Sequence, residues 1–509
     1  MTSDDDRPIR RGGRAGRRSA AASAPVAHHP ALMSQVPVFE VANAEGVEMI
    51  HDFAMRVIEE IGVEFRDAEA LDIWRRTDAE ITGERVRVSR ETLLALVAKA
   101  PEAFTHHARN PDRSVRVGGS SKVVAPSYGA PFLLDLDGGR RHATLDDLNM
   151  LQKLNHMAPS VHIAGGPIVE PVDTPVETRH LHMALSALTY SDKPIIGNVT
   201  SRERAEDTVA MCDIVFGSDF ARNNCCTTSL INSNSPLVWD KTMLDALKVY
   251  AANGHAVLCS PFSMAGASTP ASSVGTIGLV TAEALMAIAF GQLVRPGAPM
   301  LFGVPSMAVD LSTGAPMHGS PETAMVQFLA GQMARRYGVP HRALLNSATS
   351  KTPDLQAGFD SMWATFPSFL AGAHWLSMAG GLIEGTLAVS VAKMMIDFEQ
   401  VDAFYHFCQG PSFDDLDEIF AMVRETGPGG HFLGEAHTRK AQLFRFPSQN
   451  NAAFEQWEAD GRKDSAQTGA DKARDWLARY EEPPIRPSLR EELVEFVKRA
   501  ESRIAGTGG

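Results

Sequence analysis

The chain has 509 residues, 44% hydrophobic and 21% charged, with a formal net charge of −13, the balance of an ordinary soluble globular protein. The first 18 residues hold six arginines against three aspartates, so the remainder stands near −16, and a body this acidic repels phosphate backbones and excludes nucleic-acid binding. Five cysteines, an odd number without a C-x-x-C pair, build neither a disulfide framework nor a zinc site and point to a reducing cytoplasm.

Residues 1–40 open with "RPIRRGGRAGRRSAAASAPVAHH", which has no apolar h-region and so is not a secretory signal. It reads as a disordered arm, ordered only by a neighbouring subunit, which makes a homo-oligomer the expectation. Residues 41–122 form an extension in which "AEGVEMIHDFAMRVIEEIGVEF" has apolar positions at helical spacing and short β-like pieces follow.

From 123 to 398 the pattern is regular. Eight short apolar runs, "KVVAPSY", "VHIAGGP", "KPIIGNV", "CCTTSLIN", "HAVLCSPF", "APMLFGV", "RALLNS" and "AHWLSMAG", are each followed by a helical segment. Strands alternating with helices predict βαβ units, and eight such units close into a (β/α)₈ TIM-type barrel. The rival open doubly wound sheet lacks a G-x-G-x-x-G turn after its first strand. "GTIGLVTAEALMAIAFGQLV" carries Glu283 and Gln292 at helical spacing, so it reads as a buried helix and not as a membrane span. Residues 399–509 are charged and helical and are expected on the outside of the barrel.

In such a barrel the chemistry sits at the C-terminal strand ends. Those positions hold Tyr128, Gly165-Gly166-Pro167, Asn198, Asn232, Ser263, Gly303, Asn346, Ser347 and Gly380, a set of small and amide residues that predicts a wide mouth. No G-x-S-x-G, Walker or H-E-x-x-H motif occurs. His180 and His182, two apart on a helix, face different sides and do not make a metal site. Lys193 precedes the third strand and reads as a surface lysine at the far end. Lys351, after the seventh strand, is a Schiff-base candidate or a solvated partner of Asp354. After the sixth strand, Ser320-Pro321-Glu322 reads as a helix cap, so Glu322 either caps its helix or faces the mouth, with His318 on the same loop. Of the aromatics near strand ends (Tyr128, Phe132, Phe262, Phe302, Phe359, Trp363 and Trp375), two or three are expected to face a ligand.

The segments "YGAPFLLDLDGGRRHATLDDL", "PGAPMLFG", "GSPETAM", "YGVPHR", "SKTPDLQAG" and "GPGGHFLGEAHT", in that order over essentially the whole chain, resemble the trimethylamine methyltransferase family. The resemblance implies a (β/α)₈ barrel that moves a methyl group from a methylamine to the cobalt of a separate corrinoid protein. Founding members carry pyrrolysine in the loop after the strand that "YGVPHRALLNS" resembles, whereas Ala343 to Lys351 are standard residues here. This chain therefore resembles the non-pyrrolysine branch, for which glycine betaine and related quaternary amines are the implied substrates. Cob(I)alamin on the partner would supply the nucleophile, and no D-x-H-x-x-G turn occurs that would tie a corrinoid to this chain.

A quaternary ammonium is held by aromatic faces and carboxylate charge. Tyr128, Phe359 and Trp363 are the expected aromatic contacts and Glu322 the expected anion, with His318, Asn198 and Asn346 as donors to a substrate carboxylate. Glu322 and Asn346 stand nearest the reacting group, and Gly303 and Ser347 leave room for the corrin ring. Two other readings remain open from the residues alone. One is a Schiff-base lyase or aldolase using Lys351, and the other a betaine-binding protein without catalysis.

Overall fold

The computed structural model describes residues 28–441 and 443–507. Seven parallel strands stand in ring order: Ser121–Pro126, then Ile195–Gly197, Thr227–Ile231, Ala256–Cys259, Met300–Gly303, His341–Leu344 and Trp375–Ala379, which pairs back to Ser121–Pro126. The extended segment 161–165 fills the second position. Val124 O accepts from the amides of His162 and Ile163 at 2.8 and 3.2 Å, and Gly165 O accepts from Ile196 N at 3.0 Å. The ring is closed, and its eight positions are the eight apolar runs of the sequence.

Each position is followed by a helix: Leu145–Met157, Arg179–Tyr190, Arg202–Phe216, Lys241–Ala252, Ser273–Val294, Pro321–Tyr337, Leu355–Leu370 and Val391–Cys408. Period-two alternation sorts the strand side chains. Val124, Ala343, Leu345 and Leu376 pack against helices, while Val123, Ile163, Ile196, Leu230, Leu258, Leu301 and Trp375 fill the lumen. The sheet hairpin Ala103–His106 and Val115–Gly118 plugs the floor, sending Phe104, Val115 and Val117 into the same cluster. His106 stacks on Trp375 with ring centroids 6.0 Å apart.

The helix Ser273–Val294 is long and apolar enough to cross a membrane, yet it is mostly buried against the barrel and the N-terminal extension. Its Glu283 explains the polar interruption. The carboxylate accepts from Leu237 N at 2.8 Å and Ser235 Oγ at 2.7 Å, and from Ser233 Oγ, which pins the loop after the fourth strand. In the extension, the expected helix is Ala44–Arg56, which widens into a π turn, Val57–Ile61, and ends at Gly62 before the strand Val63–Arg66.

The arginine-rich run lies outside the described residues. Residues 28–40, expected to belong to the arm, instead run along the floor of their own barrel. Leu32–Met33 pairs antiparallel with Ser121–Lys122. Gln35 N donates to Cys408 O at 2.8 Å and Phe39 N to Leu370 O at 2.9 Å. His162 holds the strap from beneath: its Nδ1 accepts from Val124 N at 2.9 Å, which leaves Nε2 to donate to Pro30 O at 3.2 Å.

The boundary expected at 398/399 falls inside the eighth helix, which continues to Cys408 because Val401, Phe404 and Cys408 keep its apolar face on the barrel. Beyond it the helix Ser465–Arg479 packs on the eighth helix. Leu489, Leu493 and Val497 of Pro487–Thr507 pack on the second and third. Among the described residues between Pro411 and Thr468, Ser448 alone is buried, donating its amide and hydroxyl to Glu399 at 2.9 and 2.7 Å.

Candidate active site

Loop-to-loop hydrogen bonds assemble one side of the mouth. Gly129 N donates to Pro167 O at 2.7 Å and Glu170 N to Ala130 O at 2.9 Å, so the turns after the first two strands move as a pair. They bring Tyr128 beside Glu170. Tyr128 is half-buried on the lumen cluster. Burial pushes its phenol above the usual range, and the negative charge of Glu170 adds to the shift. Glu170 is itself half-buried, 3.4 Å from Arg179 Nη1.

The other side is cationic. Arg342, second residue of the seventh strand, is 1% exposed. Its neighbours in sequence, Ala343 and Leu345, face the helices, so the guanidinium turns inward. Nε donates to Ser377 Oγ on the eighth strand at 2.6 Å, and Nη1 donates to Ser260 Oγ beyond the fifth at 3.1 Å. It reaches across the sixth strand because Gly303, its register partner there, has no side chain. A Cβ on Gly303 would stand 2.7 Å from Leu258 Cδ2 and 3.2 Å from Ser260 Cα. Burial alone pushes the guanidinium pKa down to about 9.

Among the expected site residues, Tyr128 stands in the mouth. Asn198 does not face it: its Nδ2 donates to His180 O at 3.3 Å and contacts Thr208 Oγ1 at 3.4 Å, which turns the amide into the helix layer. Asn346 is likewise turned outward, with Nδ2 on Gln400 Oε1 and its carbonyl accepting from Lys393 Nζ at 2.7 Å. Ser347 donates to Leu345 O at 3.1 Å and is fully buried. Gly303 lies in the lumen wall and not on the rim. Neither therefore offers a surface to a corrin ring.

Glu322 is exposed in the first turn of its helix, behind the N-cap Ser320, whose side chain accepts from Thr323 N at 3.2 Å. The helix-cap alternative describes it, because an exposed carboxylate beside a helix N-terminus already has its favourable charge partner. His318 is buried under the loop after the seventh strand, with its amide on Thr349 Oγ1 at 3.3 Å and Nε2 unpartnered among the described residues. Burial holds its imidazole neutral, with the pKa down to about 4.

Phe359 and Trp363 lie elsewhere. They are 61% and 46% exposed on the outer face of the seventh helix. With Leu355, Met362 and Phe366 they line a groove of about 1020 Å³ between the seventh and eighth helices and residues 464–466. Its apolar lining is open to solvent on the outer side of the seventh helix. Its floor carries the buried pair Lys393–Asp397, Nζ to Oδ2 2.6 Å, whose ammonium also donates to Asn346 O.

Lys193 is buried and not a surface lysine: Nζ donates to Asn155 O and Ala158 O at 2.7 and 3.0 Å, closing the C-terminus of the first barrel helix. Lys351 is exposed, with Nζ on Thr349 O at 3.0 Å, and lacks the desolvation that activates a Schiff-base lysine. His180 and His182 bond to Asp207 and Glu501 at 2.9 and 2.8 Å, on different sides of their helix as expected. Asp67, Glu69 and Asp245 could group around a metal ion, but Lys248 Nζ stands among them, 2.6 Å from Asp67 and 2.9 Å from Asp245.

Sequence reasoning missed Glu170 and Arg342. Glu170 follows "GGPIV" at a strand end and was open to discovery. Arg342 opens the apolar run "RALLNS", and period-two alternation is the signal in the sequence that turns it inward.

The trimethylamine methyltransferase family matches residues 10–505. The chain belongs to that family. Within reach of this trimethylamine methyltransferase family member, the glycine betaine methyltransferase of Desulfitobacterium hafniense (strain Y51) is 37% identical over 466 residues, covering 91% of this chain and 97% of the relative. The proline betaine:corrinoid methyltransferase of Eubacterium limosum is 26% identical over 408 residues, covering 77% and 82%. The monomethylamine methyltransferase structure from Methanosarcina barkeri superposes with a TM-score of 0.47 at 12% identity, over 92% of this chain and 98% of that one.

Proposed function

We propose that this methyltransferase takes a methyl group from a quaternary amine, glycine betaine or a related betaine, and passes it to the cob(I)alamin of a separate corrinoid protein. The observation that carries the reading is the lumen mouth. An aromatic face, Tyr128, stands beside a carboxylate, Glu170, the pair of features that holds a cation unable to donate N–H hydrogen bonds. The two relatives that act on betaines support it, as does the run of standard residues from Ala343 to Lys351.

The chain's own groups bind and orient. All five cysteines are buried, with burial pushing their thiols up, and Lys351 is solvated, so neither the thiols nor that lysine supplies an activated nucleophile. Cob(I)alamin supplies the nucleophile when the partner docks. The N–CH₃ bond breaks with its electron pair left on nitrogen, so a quaternary ammonium leaves as a neutral tertiary amine. Holding that methyl in line is the barrel's contribution.

The exposed apolar stripe on the seventh helix and the exposed stretch from Pro411 to Thr468 support a homo-oligomer. The test is a spectral assay for conversion of cob(I)alamin to methylcobalamin. Glycine betaine should drive it and trimethylamine should not. Equal or faster turnover of trimethylamine overturns the reading, and binding without any transfer identifies a betaine-binding protein instead.

A further inference from the structure

We propose that Arg342 is the anchor for the substrate carboxylate, so that the site selects zwitterionic quaternary amines over cations with an uncharged tail. The inference rests on the quaternary-amine reading above and names the feature of the substrate that reading leaves open.

Among the described residues, each other deeply buried cation is held by carboxylates or by backbone carbonyls. Lys248 meets Asp67 and Asp245, and Lys393 meets Asp397. Lys122 donates to the carbonyls of Phe369 and Ala373, and Lys193 to those of Asn155 and Ala158. Arg342 has neither. Among the described residues no carboxylate lies within ion-pair distance of it, and its partners are two serine hydroxyls.

A guanidinium has five N–H donors in a fixed fork. Two are used here, which leaves Nη2 and one N–H of Nη1 for a planar anion, the geometry that a carboxylate fills bidentately. The fork is held before any ligand arrives. Ser377 Oγ accepts from Nε while donating to Ala343 O at 3.3 Å, and Ser260 fixes Nη1 from the opposite wall. Burial without a counter-charge is unfavourable for a cation, as the lowered pKa records. An anion in the lumen removes that penalty.

Calorimetry on the purified protein tests this with glycine betaine and with choline, where a hydroxyl replaces the carboxylate. Glycine betaine should bind about 10- to 100-fold more tightly, the range of a charge-assisted contact. Arg342→Gln should raise the KM for glycine betaine by a similar factor at little cost in kcat and should shrink the difference between the two ligands, with the melting curve reporting the fold. Should that variant fail to fold, Ser260→Ala should give a several-fold loss in the same direction. Choline binding to the wild type as tightly as glycine betaine overturns the proposal, and so does a folded Arg342→Gln variant with undiminished affinity. Carboxylate-selective binding without methyl transfer sinks the proposed reaction and keeps the anchor. Methyl transfer without carboxylate selectivity does the reverse.

Discussion

The lumen mouth and the groove on the seventh helix are built on opposite terms. The mouth side of the lumen buries a charged group, Arg342, with two serine hydroxyls as its hydrogen-bond partners. The groove exposes apolar ones, with Leu355, Phe359 and Trp363 open to solvent. A buried polar group that lacks a protein partner fits a small polar ligand, whereas a broad exposed apolar surface fits another macromolecule.

The groove floor offers the hardest test. Lys393→Met leaves Asp397 buried without its cation and should cost about 3–5 kcal/mol of stability by denaturant unfolding. A cost below about 1 kcal/mol would mean that the pair does not contribute this stability. Acid should act nearly as strongly. His162 and His318 have folded values lowered by burial to about 3 and about 4, against about 6.5 in an unfolded chain. The unfolded chain takes up protons first, so stability is full above pH 6.5 and falls as pH drops towards 4. The loss is about 1.4 kcal/mol per pH unit for each such histidine. An unfolding midpoint that stays flat from pH 7 to 4.5 would contradict it.

Ligand affinity sharpens the contrast further. Tyr128→Ala should weaken glycine betaine binding by about 1–2 kcal/mol, the worth of a desolvated cation–π contact, while Trp363→Ala should leave it unchanged. If Trp363→Ala weakened binding and Tyr128→Ala did not, the roles of the two recesses would be exchanged. The smallest effect belongs to Glu322→Gln, about 0.3–1 kcal/mol of stability from the lost helix-terminal charge, with no change in affinity by calorimetry.

The barrel was legible because each of its eight positions is an apolar run bounded by turn residues, a signal that survives any detail of packing. The site was legible only in part. Tyr128 could be placed because it lies two residues past the end of a strand. Phe359, Met362, Trp363 and Phe366 fall at helical spacing, so they form one face of a helix, and a strand-end count cannot tell which face looks inward. Asn198 and Asn346 end their strands as expected, yet their amides find partners among helix residues, a choice made by tertiary neighbours. Arg342 shows the converse: period-two alternation within "RALL" turns it inward, but its counterparts Ser260 and Ser377 are far off in the chain.

The strap beneath the barrel has a consequence in time. It occupies residues 28–40, made before every strand of the barrel, yet its bonds end on Leu370 and Cys408. The seam it covers, between the first strand and the eighth, cannot exist until residue 379 has been made. During synthesis the strap therefore waits for nearly the last part of the barrel, and the apolar edge of Ser121–Pro126 stays open meanwhile. A ring-shaped fold whose clasp is made first and fastened last depends on protection of that edge while translation runs.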